Sequence, residues 1–170
     1  MTDTWDSAGG QAEPGDGPAP LPVFRGVTLL ALDAKGRLAI PAKHREPLAG
    51  AGAGRLILTV DPSRCLLLYP FAAWAPIERQ LMQLSSFNER IRGLQRLLVG
   101  HADDVELDAA GRILVPPALR RYAGLDKQVV LVGQGHKFEV WDEGQWTAQT
   151  AQTIAFPADS LPPELAGVSL

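Results

Sequence analysis

Residues 33–45 read DAKGRLAIPAKHR, and residues 108–120 read DAAGRILVPPALR, the same pattern 75 positions later. A chain carrying a repeat must fold both copies alike and cover the face each leaves open, so this duplication constrains the architecture more than composition does. Each copy opens a tight turn with Asp, closes it with Gly and places Arg directly after it. The pattern predicts a strand over 27–32, a turn over 33–36 and a returning strand over 37–40, together a hairpin. Pro41 then opens a short helix reaching about Leu48, and the glycine-rich stretch 49–54 forms a loop.

The apolar runs RLILTV and CLLLYP, separated by DPSR, predict a second hairpin of short buried strands. Trp74, Ile77, Leu81 and Leu84 recur at helical spacing, and Ile91, Leu94 and Leu98 resume it after a break near Asn88. A second cycle begins near Asp103: a strand through Val105 and Leu107, a turn over 108–111, a strand over 112–115 and a helix from Pro116. VVLV then answers ILTV, and Trp141 and Trp146 answer Tyr69 and Trp74, now at an offset of 72. The expected fold is therefore α+β, with two pseudo-twofold-related β-α-β repeats in a small barrel-like core, each closing the other's open sheet edge. The expected organisation is a disordered extension over 1–22, a first repeat over 23–74, connecting helices over 75–101, a second repeat over 102–146, and a C-terminal helix and flexible tail over 147–170.

At 170 residues and 46% hydrophobic content the chain can fill such a core. The lone Cys65 has no internal disulfide partner, and His44, His101 and His136 are scattered singly, so neither a disulfide framework nor a metal site is expected. The most apolar stretch, 65–77, is broken by Pro70 and Pro76 and is too short to span a bilayer. Residues 1–22 are rich in Gly and Pro, carry four acids and no Lys or Arg, and lack the basic start and apolar run of a secretory signal. A reducing cytoplasm suits this reading, with neither membrane nor cofactor as a partner.

Alternation turns Leu38, Ile40, Ile113 and Val115 inward and leaves Arg37 and Arg112 outward beside their turns. Asp33 with Arg37, and Asp108 with Arg112, can form a surface ion pair of small energetic consequence. They can equally form a stiff mount that steers a guanidinium to the O6 and N7 of guanine. Residues 23–64 carry seven basic residues against three acids, whereas 101–146 carry five against eight. The DNA contact is therefore expected mainly from the first copy, through Arg37, Lys35, Asp33, Lys43, Arg25 and Arg45, with Arg112 and Asp108 as their counterparts. Arg90, Arg92 and Arg96 read as a solvated helix face, and Tyr69, Trp74, Trp141 and Trp146 read as core. No nucleophile adjoins His101 in sequence and no phosphate-cradling glycine motif is present, so an enzyme is not expected.

The stretches FRGVTLLALDAKGRLAIPAKHR, QRLLVGHA, GRILVPP and LVGQGHKFEVWDE, together with the doubled DxxGR turn, resemble the MraZ family of the AbrB-like swapped-hairpin class, from Phe24 to about Gln152. The resemblance implies a DNA-binding transcriptional regulator, usually a repressor, that recognises short G-rich direct repeats upstream of the division and cell-wall gene cluster. It also implies assembly into a homo-oligomeric ring and association with the nucleoid. The family's Asp-x-x-x-Arg motif maps onto Asp33 and Arg37, and again onto Asp108 and Arg112. Members of the family usually begin Met-Phe-Arg-Gly, so Val23, read from a GTG codon, is the expected start. The competing readings are a single-copy AbrB-type antitoxin, from which the internal duplication departs, a small enzyme on a double-psi-like barrel, and a ring scaffold without DNA affinity.

Overall fold

The computed structural model describes residues 19–169. Eight strands and five helices follow one another as β1 (Phe24–Ala31), β2 (Arg37–Ala39), α1 (Ala42–Gly50), β3 (Arg55–Val60), β4 (Leu66–Pro70), α2 (Phe71–Gln83), α3 (Glu89–Leu98), β5 (Asp103–Glu106), β6 (Arg112–Leu114), α4 (Pro117–Ala123), β7 (Gln128–Gly135), β8 (Lys137–Asp142) and α5 (Glu143–Ile154). Short 3-10 turns at Ala158–Ser160 and Pro163–Leu165 follow. The fold is mixed α+β. The expected disorder of 1–22 falls largely outside the described residues, but Leu21 packs against the core and the Pro22 carbonyl lies 2.9 Å from His136 Nδ1.

The expected first hairpin does not form as such. Its turn closes, with Gly36 N–H on Asp33 O at 2.9 Å and Asp33 N–H on Arg37 O at 3.0 Å, but its strands diverge and find partners in the second repeat. β1 pairs antiparallel with β7 from Phe24 opposite Gly135 to Ala31 opposite Gln128, and β2 pairs with β6 about the central couple Leu38 and Ile113. A single bridge, Leu32 to Leu38, joins β1 to β2. Exchange of partners satisfies the backbone groups that two short diverging strands would leave open. β5 likewise pairs with β3 of the first repeat, giving a six-stranded sheet in the order β1-β7-β8-β4-β3-β5 beside the two-stranded β2-β6 ribbon.

The central strands β3 and β4 are covered on both faces, which is why RLILTV and CLLLYP are continuous apolar runs. On one face Leu56, Leu58, Val60, Leu66, Leu68, Leu131, Phe138 and Val140 meet Leu38, Ile40, Ile113 and Val115 from the ribbon, Leu48 from α1, and Leu119 and Ala123 from α4. On the other, Ile57, Cys65, Leu67, Tyr69, Val130 and Trp141 lie with Trp74 of α2, Leu98 of α3 and Trp146 of α5. Thr59, polar and fully buried there, donates its hydroxyl to Leu98 O at 2.5 Å. The expected helix face ends one residue early: α2 stops at Gln83, and Leu84 is extended and 49% exposed. After the break, Asn88 caps α3 by accepting the N–H of Arg90 at 2.9 Å.

Candidate nucleic-acid interface

Each DxxGR turn is wound around its aspartate. Asp33 Oδ1 accepts the backbone N–H of Lys35 at 2.9 Å and of Arg37 at 2.8 Å, while Oδ2 accepts Arg37 Nε at 2.7 Å. Asp108 does the same with Ala110, Arg112 and Arg112 Nε, at 2.9, 2.9 and 2.8 Å. The backbone N–H of the arginine, opposed by partial burial and aided by its guanidinium, holds each carboxyl below its ordinary value, so both are ionised at neutral pH. Gly36 and Gly111 complete the turns at φ +81° and +75°, where a side chain would be strained. In each guanidinium only Nε is used by the turn, and among the described residues the two terminal nitrogens hydrogen-bond to nothing.

The ribbon brings the two arginines together. Arg37 stands opposite Leu114 and Arg112 opposite Ala39, so all four side chains share one face while Leu38 and Ile113 are buried on the other. Arg37 and Arg112 are therefore diagonal neighbours, about 7–8 Å apart by strand geometry. Leu114, 55% exposed, and Ala39 lie between them. The ribbon is extended at both ends by Val115 N–H on Gly36 O at 2.8 Å and Ile40 N–H on Gly111 O at 2.9 Å. A two-stranded antiparallel ribbon with paired outward guanidiniums matches the dimensions of a DNA major groove.

The family model described as "MraZ protein, putative antitoxin-like" matches this chain twice, over residues 23–97 and 98–164. The chain is 60% identical over 148 residues to the transcriptional regulator MraZ of Nitrosospira multiformis and 54% identical over 148 residues to that of Thiobacillus denitrificans. It is 51% identical over 152 residues to that of Coxiella burnetii. Each of these alignments covers 87% of this chain and the whole of the relative. The chain belongs to the MraZ family. Its relatives are transcriptional regulators by name, and the doubled family match coincides with the doubled turn.

In this MraZ-family chain the other expected site residues do not form one basic face. Lys35 is exposed at the first turn beside Arg37. Arg25 and Lys43 are each exposed away from that turn, with Lys43 Nζ 3.7 Å from where a Cβ on Gly26 would lie. Arg25 is roughly 25 Å along the chain from Asp33 at strand rise. Arg45 lies against Gly111 of the second turn and donates Nε to Ile40 O at 2.7 Å. Arg55 pairs with Asp104 at 3.0 Å and stacks on Phe71, and Arg64 stands over Tyr122. Interleaving thus spreads the first repeat's positive charge across the second.

The exchange runs both ways. Arg120 of α4 lies against Gly36, and Lys127 flanks the same turn beside Asp33 and Ala34. The acidic strand β5 borders Leu114. A tally of charge by sequence segment misses both, although Arg45 and Arg120 end the two copies of the repeated motif and so mark themselves as a symmetric pair. Arg92 faces Glu89 at 3.7 Å, and Arg90 and Arg96 are exposed on α3. His101 Nδ1 lies 2.9 Å from Leu97 O and its ring adjoins Tyr122. Tyr69, Trp74 and Trp141 are buried and Trp146 half-buried in the outer core. Among the described residues no group of three His, Cys, Asp or Glu is placed to hold a metal ion, and no helix is long and apolar enough to cross a membrane.

Proposed function

We propose that this protein is a sequence-specific DNA-binding regulator, acting as a repressor, whose β2-β6 ribbon enters the major groove and reads guanines with Arg37 and Arg112. The observation that carries this reading is the pair of carboxylate-mounted arginines on one exposed ribbon face, each with its terminal nitrogens free. The interleaved strands support a swapped-hairpin barrel as the mount. Arg37 leads, because Lys35 accompanies it where the second turn has Ala110, while Arg25 and Lys43 provide phosphate contacts away from the turn. Family membership points to short G-rich direct repeats upstream of the division and cell-wall gene cluster, its own gene included, as the target, and to the nucleoid as the place of action.

One subunit has few phosphate contacts, so useful affinity calls for several subunits bound together. A homo-oligomeric ring supplies this, and β1 supports it: an outermost strand with Val27 and Leu29 exposed is a surface that proteins ordinarily cover. A gel-shift titration against DNA from upstream of the protein's own gene, repeated over a salt series, tests the reading. Preference over a scrambled duplex, with affinity falling as salt rises, is the expected result. Equal binding of both duplexes, or none, overturns it.

A further inference from the structure

The first turn is built by both halves of the chain. Its outer side is local: Asp33, Lys35 and Arg37 hold one another through the hydrogen bonds described above. Its inner side is made by the second repeat. Val115 donates its N–H to Gly36 O, and the Arg120 guanidinium lies so close to Gly36 that a Cβ there would stand 2.6 Å from Cζ and 2.8 Å from both Nε and Nη1. Gly36 is buried although it sits in a surface turn, and Arg120 is among the groups that cover it.

The symmetric residue shows that this is not simply how such an arginine packs. Arg45, in the same place against Gly111, uses Nε to hold Ile40 O and so anchors itself to the backbone. Arg120 lacks that bond, and among the described residues its buried Nε has no partner. An orphaned buried donor lowers stability, so Arg120 is poorly accounted for as a stabilising contact. Its distinguishing feature is the turn it touches.

We infer that Arg120 is a positioning residue for DNA reading: lent by the second repeat, it backs Gly36 and fixes the direction in which Arg37 leaves the turn. This rests on the reading of Arg37 as a base contact. A flat guanidinium can lie along the glycine backbone, whereas the compact ammonium of lysine cannot cover the same surface. The second repeat therefore contributes to recognition through Arg120 as well as through Arg112.

The test compares Arg37→Ala, Arg120→Ala, Arg120→Lys and the Arg37→Ala/Arg120→Ala double variant on duplex DNA from upstream of the gene and on a scrambled duplex. Folding and assembly are checked by circular dichroism and solution mass. Arg120→Ala is expected to lower the preference for the upstream duplex roughly tenfold, on the scale of one misaligned bidentate contact. It should leave scrambled-duplex affinity and the salt slope unchanged, and in the Arg37→Ala background it should remove nothing further. Arg120→Lys should lose the preference too, which keeps the test open if the alanine variant does not fold. Equal weakening on both duplexes with a shallower salt slope would make Arg120 a phosphate contact and overturn the inference, as would rescue by lysine or additive losses. If Arg37→Ala lowers preference and the Arg120 variants keep it, this inference alone fails. If Arg37→Ala keeps it, the reading of the turn fails and takes the inference with it.

Discussion

At the scale of single residues, the Asp33 and Arg37 ion pair would attract little notice on energetic grounds, since exposed pairs contribute little to stability. Its value lies in direction: one carboxylate takes two backbone N–H groups and Nε together, so the guanidinium is held at its base while its far edge stays free. Arg37→Ala should lose about 1–3 kcal/mol of discrimination for a guanine-containing site while leaving the fold intact, read by competition binding against a single-base variant. Arg112→Ala should lose less, because its turn carries Ala110 where the first carries Lys35. Equal losses with assembly unchanged would mean that the two act as one unit. The aspartate, glycine and arginine of each turn were legible in sequence because their spacing is local. Arg120 was not, because its contact with Gly36 crosses from one repeat to the other and no local pattern records it.

At the scale of elements, what was legible were the pieces, and what was hidden were their partners. The apolar runs, the helix after Pro41 and the break before α3 follow from periodicity and punctuation, which act within a few residues. That β2 leaves β1 for β6 depends on the pairing of remote strands, so nearness in sequence suggested a hairpin where exchange occurs. The ribbon is the joint between the halves, and Leu38, fully buried against Ile113 and the large sheet, is its pin. Leu38→Ala should cost about 2–5 kcal/mol, seen as a lower denaturation midpoint, and combination with Ile113→Ala should cost less than the sum. Helix α1 carries a pH-sensitive seam: His44 is buried against Phe24 and Phe138, and burial, with Lys43 adding repulsion, pushes its pKa below 6.5. The folded chain then resists a proton that the unfolded chain accepts, so this contribution is full above about pH 6.5 and declines as pH falls below it. Urea melts at pH 7.5 and pH 5 should show a smaller loss for His44→Leu than for the parent.

At the scale of the whole molecule, the two repeats form one cooperative unit, because β1, β2 and β5 each complete a sheet belonging to the other half. Internal duplication thus supplies within one chain the symmetric platform that a single-copy protein obtains by dimerising, and β1 remains an end strand of the sheet. On this proposal each subunit brings one ribbon, and several ribbons held in a ring meet DNA as a set whose effective concentration rises after the first docks. Affinity should then depend on the phase between the DNA repeats rather than only on their number. Repeats one helical turn apart, about 10 bp, present the same groove to neighbouring subunits, whereas adding about 5 bp turns the second repeat to the far side of the duplex. Binding to two repeats should fall toward that of one when 5 bp are inserted and recover when 10 bp are inserted, in fluorescence-anisotropy titrations at fixed salt. Indifference to phase would mean that subunits reach DNA independently, and the ring would lose its part in recognition.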